Sequence, residues 1–360
     1  MRAAVFYGTD RPLVIEDVRL ADPAPREVRV RVHAAGICHS DVSLVSGHIP
    51  YPVPAVAGHE SAGVVEAVGS SVEYVRPGDR VITCLSVFCG ACERCLQGRP
   101  ALCLNSPAGR ASGKARLTVD GEPVGQFMHL GSFSEELLVH ENAVVRVDPE
   151  IPFAQASLLG CGVTTGLGAV LRTARVRLGE SVAVLGCGGV GLSAVQGAVI
   201  AGAARIIAVD TDPGKLDTAL ALGATDTVDA SRGDCVAEIV GLTGGGVDHA
   251  FEVVGRKDTA EQAFGMLRPG GTATVVGVLG NTAIEIPGRA LNQERRIQGS
   301  LMGSNRFRVD IPRYLDLYRQ GRLRLNELVS REIGLDELDG ALTEARSGRT
   351  GHVRTVVTFP

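Results

Sequence analysis

Ser181-Val182-Ala183-Val184-Leu185-Gly186-Cys187-Gly188-Gly189-Val190-Gly191 is the stretch on which the fold turns, because an apolar run of strand length leads straight into G-x-G-x-x-G. Such a fingerprint carries weight only where a strand leads in and a helix leads out, and the residues after Gly191 read as a helix. Gly186 permits the tight turn. Gly188 lets the main chain approach a pyrophosphate, with Gly189 and Val190 in the same turn, and Gly191 allows close packing of helix on strand. Asp210 ends the next apolar run, nineteen positions after Gly191. A carboxylate there accepts hydrogen bonds from both hydroxyls of an adenine ribose and repels a 2′-phosphate, which favours NAD over NADP. Lys215, five residues further, is a second candidate for the ribose. The alternative is that these glycines only turn the chain, and the placement of Asp210 weighs against it.

Working outward, apolar strands at Ser181–Gly186, Arg205–Val209, Val247–Val253 and Thr272–Val278 alternate with helical stretches, which predicts a parallel sheet. Asp212-Pro213 opens a helix that Gly223 closes. Pro269-Gly270-Gly271 is expected to stop the helix that begins near Asp258. Before about Gly162 the pattern is short β-type runs, Val28–Ala34, Ala62–Val68 and Arg80–Cys84 among them, punctuated by Pro and Gly. After about Ser304 helix and strand mix, and Val353–Phe359 looks extended. Val182–Ala204 carries no charge and is long enough to span a bilayer, but its six glycines favour a strand, a turn and a helix.

A chain of 360 residues has room for about two domains. Hydrophobic residues at 45% and charged residues at 21% fit a globular protein, not a disordered one. With 36 Lys+Arg against 40 Asp+Glu and no basic block, nucleic acid is not an expected partner. The first seventeen residues lack an apolar core of signal-peptide length, so a cytoplasmic location is expected. Nine cysteines in that setting are read as metal ligands or free thiols.

Cys89, Cys92, Cys95 and Cys103 follow C-x2-C-x2-C-x7-C. Four thiolates close a tetrahedral zinc site with no position left for chemistry. An iron-sulfur cluster also takes four cysteines, but the spacing differs from the ferredoxin runs. A second set is scattered: Cys38, His59 and Cys161. Each alone reads as a buried polar residue or small hydrophobe. Together they make a three-ligand zinc set with an open fourth position, as catalysis needs. Cys84, Cys187 and Cys235 have no proposed ligand role.

Gly58-His59-Glu60-Ser61-Ala62-Gly63 with Gly69 and Val72, the four-cysteine lobe and the nucleotide fingerprint, in that order, resemble the zinc-containing medium-chain alcohol dehydrogenases over nearly the whole chain. The resemblance implies an α/β protein with a GroES-like β-rich catalytic domain, 1–162 and 302–360, and a Rossmann coenzyme domain of doubly wound parallel sheet, 163–301. It implies NAD and two zinc ions per subunit, an alcohol or aldehyde as substrate, no membrane partner and a homodimer, with the strand Arg296–Leu301 at the dimer edge.

By the same resemblance, Ser40 hydrogen-bonds the substrate oxygen and starts a proton relay, and Asp41 and Glu60 orient or transiently contact the metal site. His39 and Arg354 match contacts to the pyrophosphate. Thr165 and Val190 match neighbours of the nicotinamide, and Val276, Gly277 and Val278 match the strand end that holds its carboxamide. Ile49, Leu85 and Phe133 match an apolar substrate pocket suited to a medium-chain aliphatic, benzylic or terpenoid alcohol. The sequence departs from the dimeric members at Ser43, where their relay ends in histidine; His48 is the nearest replacement. A zinc-free quinone or enoyl reductase lacks these seven ligands, and a nucleic-acid-binding zinc ribbon finds only Arg94 and Arg99 as cations in the lobe. A thiol-dependent formaldehyde dehydrogenase on the same scaffold stays open.

Overall fold

Alternation in Glu27–Gly36 sets up the first unit: Val28, Val30 and Val32 are buried while Arg29 and Arg31 reach outward, the pattern of an antiparallel strand with one face on a core. The computed structural model describes residues 1–9, 11–110, 112–147, 150–346 and 352–360. This unit comprises Met1–Cys161, Arg306–Leu317 and Leu328–Pro360. Glu27–Gly36 is its hub, pairing antiparallel with Glu60–Val68, Glu136–His140 and the C-terminal strand Arg354–Thr358. A second sheet, in the order Val14–Asp17, Arg2–Phe6, Ala55–Val56, Glu122–Gln126, Leu117–Val119 and Arg19–Leu20, completes the β-rich unit. Between the strands lies a core that includes Phe127, Phe133, Leu137 and Val144, each fully buried and each worth about 1.5–3 kcal/mol of burial.

The second unit comprises Gly162–Asn305 and Tyr318–Glu327. Its six strands run parallel in the order Asp226–Asp229, Arg205–Asp210, Ser181–Leu185, Val247–Glu252, Leu267–Val275 and Arg296–Gly299. Val182 to Leu185 are buried without alternation, as both-face coverage of a parallel strand requires. The uncharged stretch resolves into this strand and the helix Gly189–Ala201, which ends at the left-handed Gly202. Among the described residues no helix is long and apolar enough to cross a membrane.

Three sequence expectations are corrected. The helix after Arg256 ends at Gly265, and Pro269-Gly270-Gly271 lies inside the strand Leu267–Val275, where the register with Val247–Glu252 shifts; the break is an irregularity in a strand, not the helix stop. That strand ends at Val275, so Val276–Val278 form the segment after it. Tyr318–Glu327, assigned by sequence to the catalytic domain, groups with the parallel sheet instead. Leu323 and Leu325 are buried there, and the Gln196 side chain donates to Arg324 O at 3.1 Å and accepts from Arg324 N at 2.7 Å.

Candidate metal centre and nucleotide site

Strand register brings the scattered ligands together. Gly36 pairs with Glu60, so Cys38, two residues past one strand, and His59, just before the other, fall side by side. Cys161 enters from a distant turn through Gly160, where a Cβ would stand 2.5 Å from Thr83 O. One ligand atom from each of Cys38, His59, Glu60 and Cys161 lies within 4.8 Å of the others, and all four residues are buried. His59 Nε2 is buried with no hydrogen-bond partner, which is costly unless something binds its lone pair. Two sulfurs, an imidazole and a carboxylate suit zinc.

Asp41 aims that imidazole. The residue is fully buried in the helix His39–Val45; Oδ2 accepts from Cys38 N at 2.9 Å and Oδ1 lies 3.1 Å from His59 Nδ1. With the proton on Nδ1, Nε2 is left to bind metal. Phe127, which no sequence signal marked, backs His59 edge-on at 5.7 Å. Burial pulls His59 down, but Asp41 and Cys38 outweigh it and hold the imidazole well above its ordinary pKa. The Cys38 thiol is drawn well below its usual range by its hydrogen bond with Cys161, against burial and with help from Arg354 and His59; Cys161, the other partner of that bond, is pushed up. A dication replaces such a shared proton. Burial raises the Glu60 carboxyl to about 7, although Arg354 opposes the shift.

Arg354 arrives on the last strand, whose pairing puts Val356 opposite Gly36. Its guanidinium donates to Ile37 O at 2.7 Å and to Glu60 at 3.2 Å, and only 6% of the residue is exposed. This engagement with Glu60 was not visible in the sequence. Ser40 is half-buried with Oγ 3.9 Å from Cys38 Sγ, whereas His39 and His48 are exposed. Ile49 and Leu85 are partly buried against the core. Phe133 departs from its pocket assignment: it has no accessible surface, because its amide pairs with Ala57 O and its ring lies against Gly58, so it belongs to the core.

The lobe cysteines Cys89, Cys92, Cys95 and Cys103 also lie within 4.8 Å of one another. Main-chain amides already point at the sulfurs: Ala91 N and Cys92 N donate to Cys89 Sγ, and Cys89 N donates to Cys103 Sγ at 3.3 Å. Amides of Cys95 and Leu104 lower the Cys92 thiol to about 6. Burial raises the Cys95 and Cys103 thiols instead, so it is the amide donors that favour thiolates on a metal here.

At the nucleotide fingerprint, Gly186 has φ +98° and Gly188 caps the helix Gly189–Ala201. A Cβ on Gly191 would stand 1.8 Å from Gly186 O, but one on Gly188 would meet nothing within 4 Å, leaving an open face at a helix N-terminus where a pyrophosphate fits. Asp210 Oδ2 accepts from Cys187 N at 2.6 Å, and Oδ1 accepts from Thr211 N and Asp212 N. Lys215 is half-buried on the helix Pro213–Ala221, Thr165 is buried with its hydroxyl on Met302 Sδ at 3.6 Å, and Val190 is half-buried.

Residues 24–149 match the alcohol dehydrogenase GroES-like domain and residues 189–319 match the zinc-binding dehydrogenase family. A protein of Schizosaccharomyces pombe named probable S-(hydroxymethyl)glutathione dehydrogenase 1 is 37% identical over 99% of this chain and 96% of its own length. The chain belongs to the zinc-containing alcohol dehydrogenases. Another member of this zinc alcohol dehydrogenase family, class-3 alcohol dehydrogenase of Zea mays, is 38% identical over 99% of this chain and 96% of its own. Among solved structures of these dehydrogenases, a zinc-binding domain protein from Burkholderia ambifaria has a TM-score of 0.93 at 38% identity, covering 100% of this chain and 98% of that one. Benzyl alcohol dehydrogenase from Acinetobacter calcoaceticus has a TM-score of 0.93 at 32% identity, covering 100% and 99%. The fold is the two-part α/β arrangement of that family, and its members use zinc and a nicotinamide dinucleotide.

Proposed function

We propose that this chain oxidises a primary or secondary alcohol to its carbonyl compound, reversibly, with NAD as hydride acceptor. The observation that carries the reading is the convergence of Cys38, His59, Glu60 and Cys161 around the unpartnered Nε2 of His59. Cys38, His59 and Cys161 would hold the catalytic ion, and Cys89, Cys92, Cys95 and Cys103 the structural one. When bound, zinc supplies Lewis acidity that raises the acidity of a hydroxyl, and nicotinamide accepts the hydride.

The chain's own residues do the rest. Asp41 holds the His59 tautomer, and Ser40, beside Cys38, takes the hydroxyl proton and passes it to water, since the sequence has Ser43 where dimeric relatives end the relay in histidine. Glu60, paired with Arg354, adjusts the charge next to the ligands. Gly186, Gly188, Gly189 and Gly191 seat the pyrophosphate, Asp210 and Lys215 take the ribose, and Thr165, Val190 and Val276–Val278 border the nicotinamide. Asp210 supports NAD over NADP.

Ile49 and Leu85 support an apolar alcohol, aliphatic, benzylic or terpenoid. The relative named for S-(hydroxymethyl)glutathione supports a second reading, the oxidation of a thiol adduct of formaldehyde. An NADH-formation screen over such alcohols, and over formaldehyde with and without glutathione, separates the two. Ser40→Ala should abolish most turnover of the preferred substrate; full activity in that variant refutes the relay. The proposal includes a cytoplasmic homodimer that meets along the edge strand Arg296–Gly299, and a monomer or tetramer in light scattering contradicts it.

A further inference from the structure

Glu252 ends the strand Val247–Glu252 with no accessible surface. One carboxylate oxygen, Oε1, accepts three hydrogen bonds: from Val254 N at 2.8 Å, Gly255 N at 2.6 Å and the Thr259 hydroxyl at 2.8 Å. The other, Oε2, is buried with no hydrogen-bond partner. The main-chain oxygen of the same residue accepts from Val276 N at 2.8 Å and Gly277 N at 3.1 Å. A single residue thus ties down the segments that follow two adjacent parallel strands.

The two segments meet backbone to backbone. A Cβ on Gly277 would stand 2.2 Å from Gly255 N and 2.8 Å from Glu252 Oε2, and one on Gly255 would stand 2.8 Å from Val278 O. On its other side Val253 N donates to Leu185 O at 3.0 Å, and Val254 occupies the space next to Gly186, where a Cβ would stand 2.8 Å from its Cγ2. Val253–Gly255 is therefore a spacer between the fingerprint turn and Val276–Val278. Asp210, in contrast, ends the strand Arg205–Asp210, which lies across the central strand Ser181–Leu185 from Val247–Glu252. The sheet order separates an adenosine side from a nicotinamide side.

The geometry points to Glu252 as the positioning residue for the nicotinamide half of the dinucleotide. Its carboxylate clamps Val253–Gly255, its carbonyl sets Val276 and Gly277, and together they fix the distance between the Gly186 turn and the segment that receives the carboxamide. This rests on the nucleotide reading above. A charged acceptor suits the task, since hydrogen bonds to a carboxylate are roughly twice as strong as neutral ones and hold a loop that has only main-chain donors to offer.

The test compares NADH with ADP-ribose, which lacks the nicotinamide, by titration calorimetry on wild type, Glu252→Ala and Glu252→Gln, alongside amide hydrogen exchange of the cofactor-free proteins. Glu252→Ala takes the acceptor from the amides of Val254 and Gly255, while the Thr259 hydroxyl still reaches Arg256 O at 3.0 Å, so NADH binding should weaken about tenfold or more while ADP-ribose changes by less than about twofold. Exchange at Gly255 and Gly277 should accelerate, with the helix Gly189–Ala201 unaffected. Equal weakening of both ligands, or of neither, overturns the assignment. If Glu252→Ala does not fold, Glu252→Gln carries the test: its amide oxygen can still accept the three hydrogen bonds that Oε1 accepts, but as a neutral acceptor, which predicts a several-fold loss confined to NADH, and equal effects on both ligands refute the proposal. Should wild type bind neither ligand, the nucleotide reading falls, but local exchange at Gly255 and Gly277 still decides whether Glu252 positions the segment.

Discussion

Replacing Asp41 by Asn probes how the catalytic histidine is aimed. Both oxygens of the carboxylate accept, one from Cys38 N at 2.9 Å and one from the Nδ1 proton of His59 at 3.1 Å. An amide offers one acceptor and one donor group, so in either orientation an N–H is set against one of these two N–H groups. Asp41 is fully buried, and water does not replace the lost bond. One unsatisfied buried donor costs about 1–3 kcal/mol, which corresponds to a loss of roughly tenfold to a hundredfold in affinity for the catalytic zinc. Competition with a chromophoric chelator measures it. The Cys89–Cys103 lobe, which does not involve Asp41, serves as the internal control: Asp41→Asn should lose one of its two zinc ions at chelator concentrations that leave wild type with both. Chelation curves that coincide for the two proteins would show that the carboxylate does not hold the ligating ring.

Two further outcomes follow from other parts of the chain. Asp210→Ala should shift the ratio of kcat/KM for NAD over NADP at least about tenfold toward NADP, because the carboxylate both accepts from ribose hydroxyls and repels a 2′-phosphate; an unchanged ratio contradicts the assignment. Glu27 concerns stability. Burial pushes its carboxyl up, but hydrogen bonds from Arg110, Ala24 N and Arg116 outweigh burial and hold it at about 2, against an ordinary 4.5. Because the folded value is the lower one, its contribution of about 3 kcal/mol is complete above about pH 4.5 and is lost as the pH falls toward 2. Urea unfolding of wild type and Glu27→Gln from pH 7 to pH 3 should give curves that differ most at neutral pH and converge in acid; a constant difference refutes the linkage.

Features confined to short spans were legible from residues alone. The four lobe cysteines fall within fifteen positions, so spacing by itself brings their sulfurs to one point. The fingerprint works through a single strand, turn and helix, and glycine at Gly191 was required by the same close approach that the structure displays at Gly186 O. The helix Pro213–Ala221 with its Asp212 cap was readable for the same reason: Asp212 accepts from Gly214 N two residues away.

Tertiary structure alone decided what depends on register and burial. Cys38, His59, Cys161 and Arg354 are far apart in the chain; the pairing of Gly36 with Glu60 and with Val356 brings Cys38, His59 and Arg354 together, and the close approach of Gly160 to Thr83 O adds Cys161. No local pattern announces that Phe133 is enclosed, that Tyr318–Glu327 joins the parallel sheet, or that Glu252 spans two loops. Local spacing sets contacts within a turn because the chain between them is too short to go elsewhere. Contacts between distant segments are chosen by which strands pair and which faces exclude water, and a linear reading does not contain that choice.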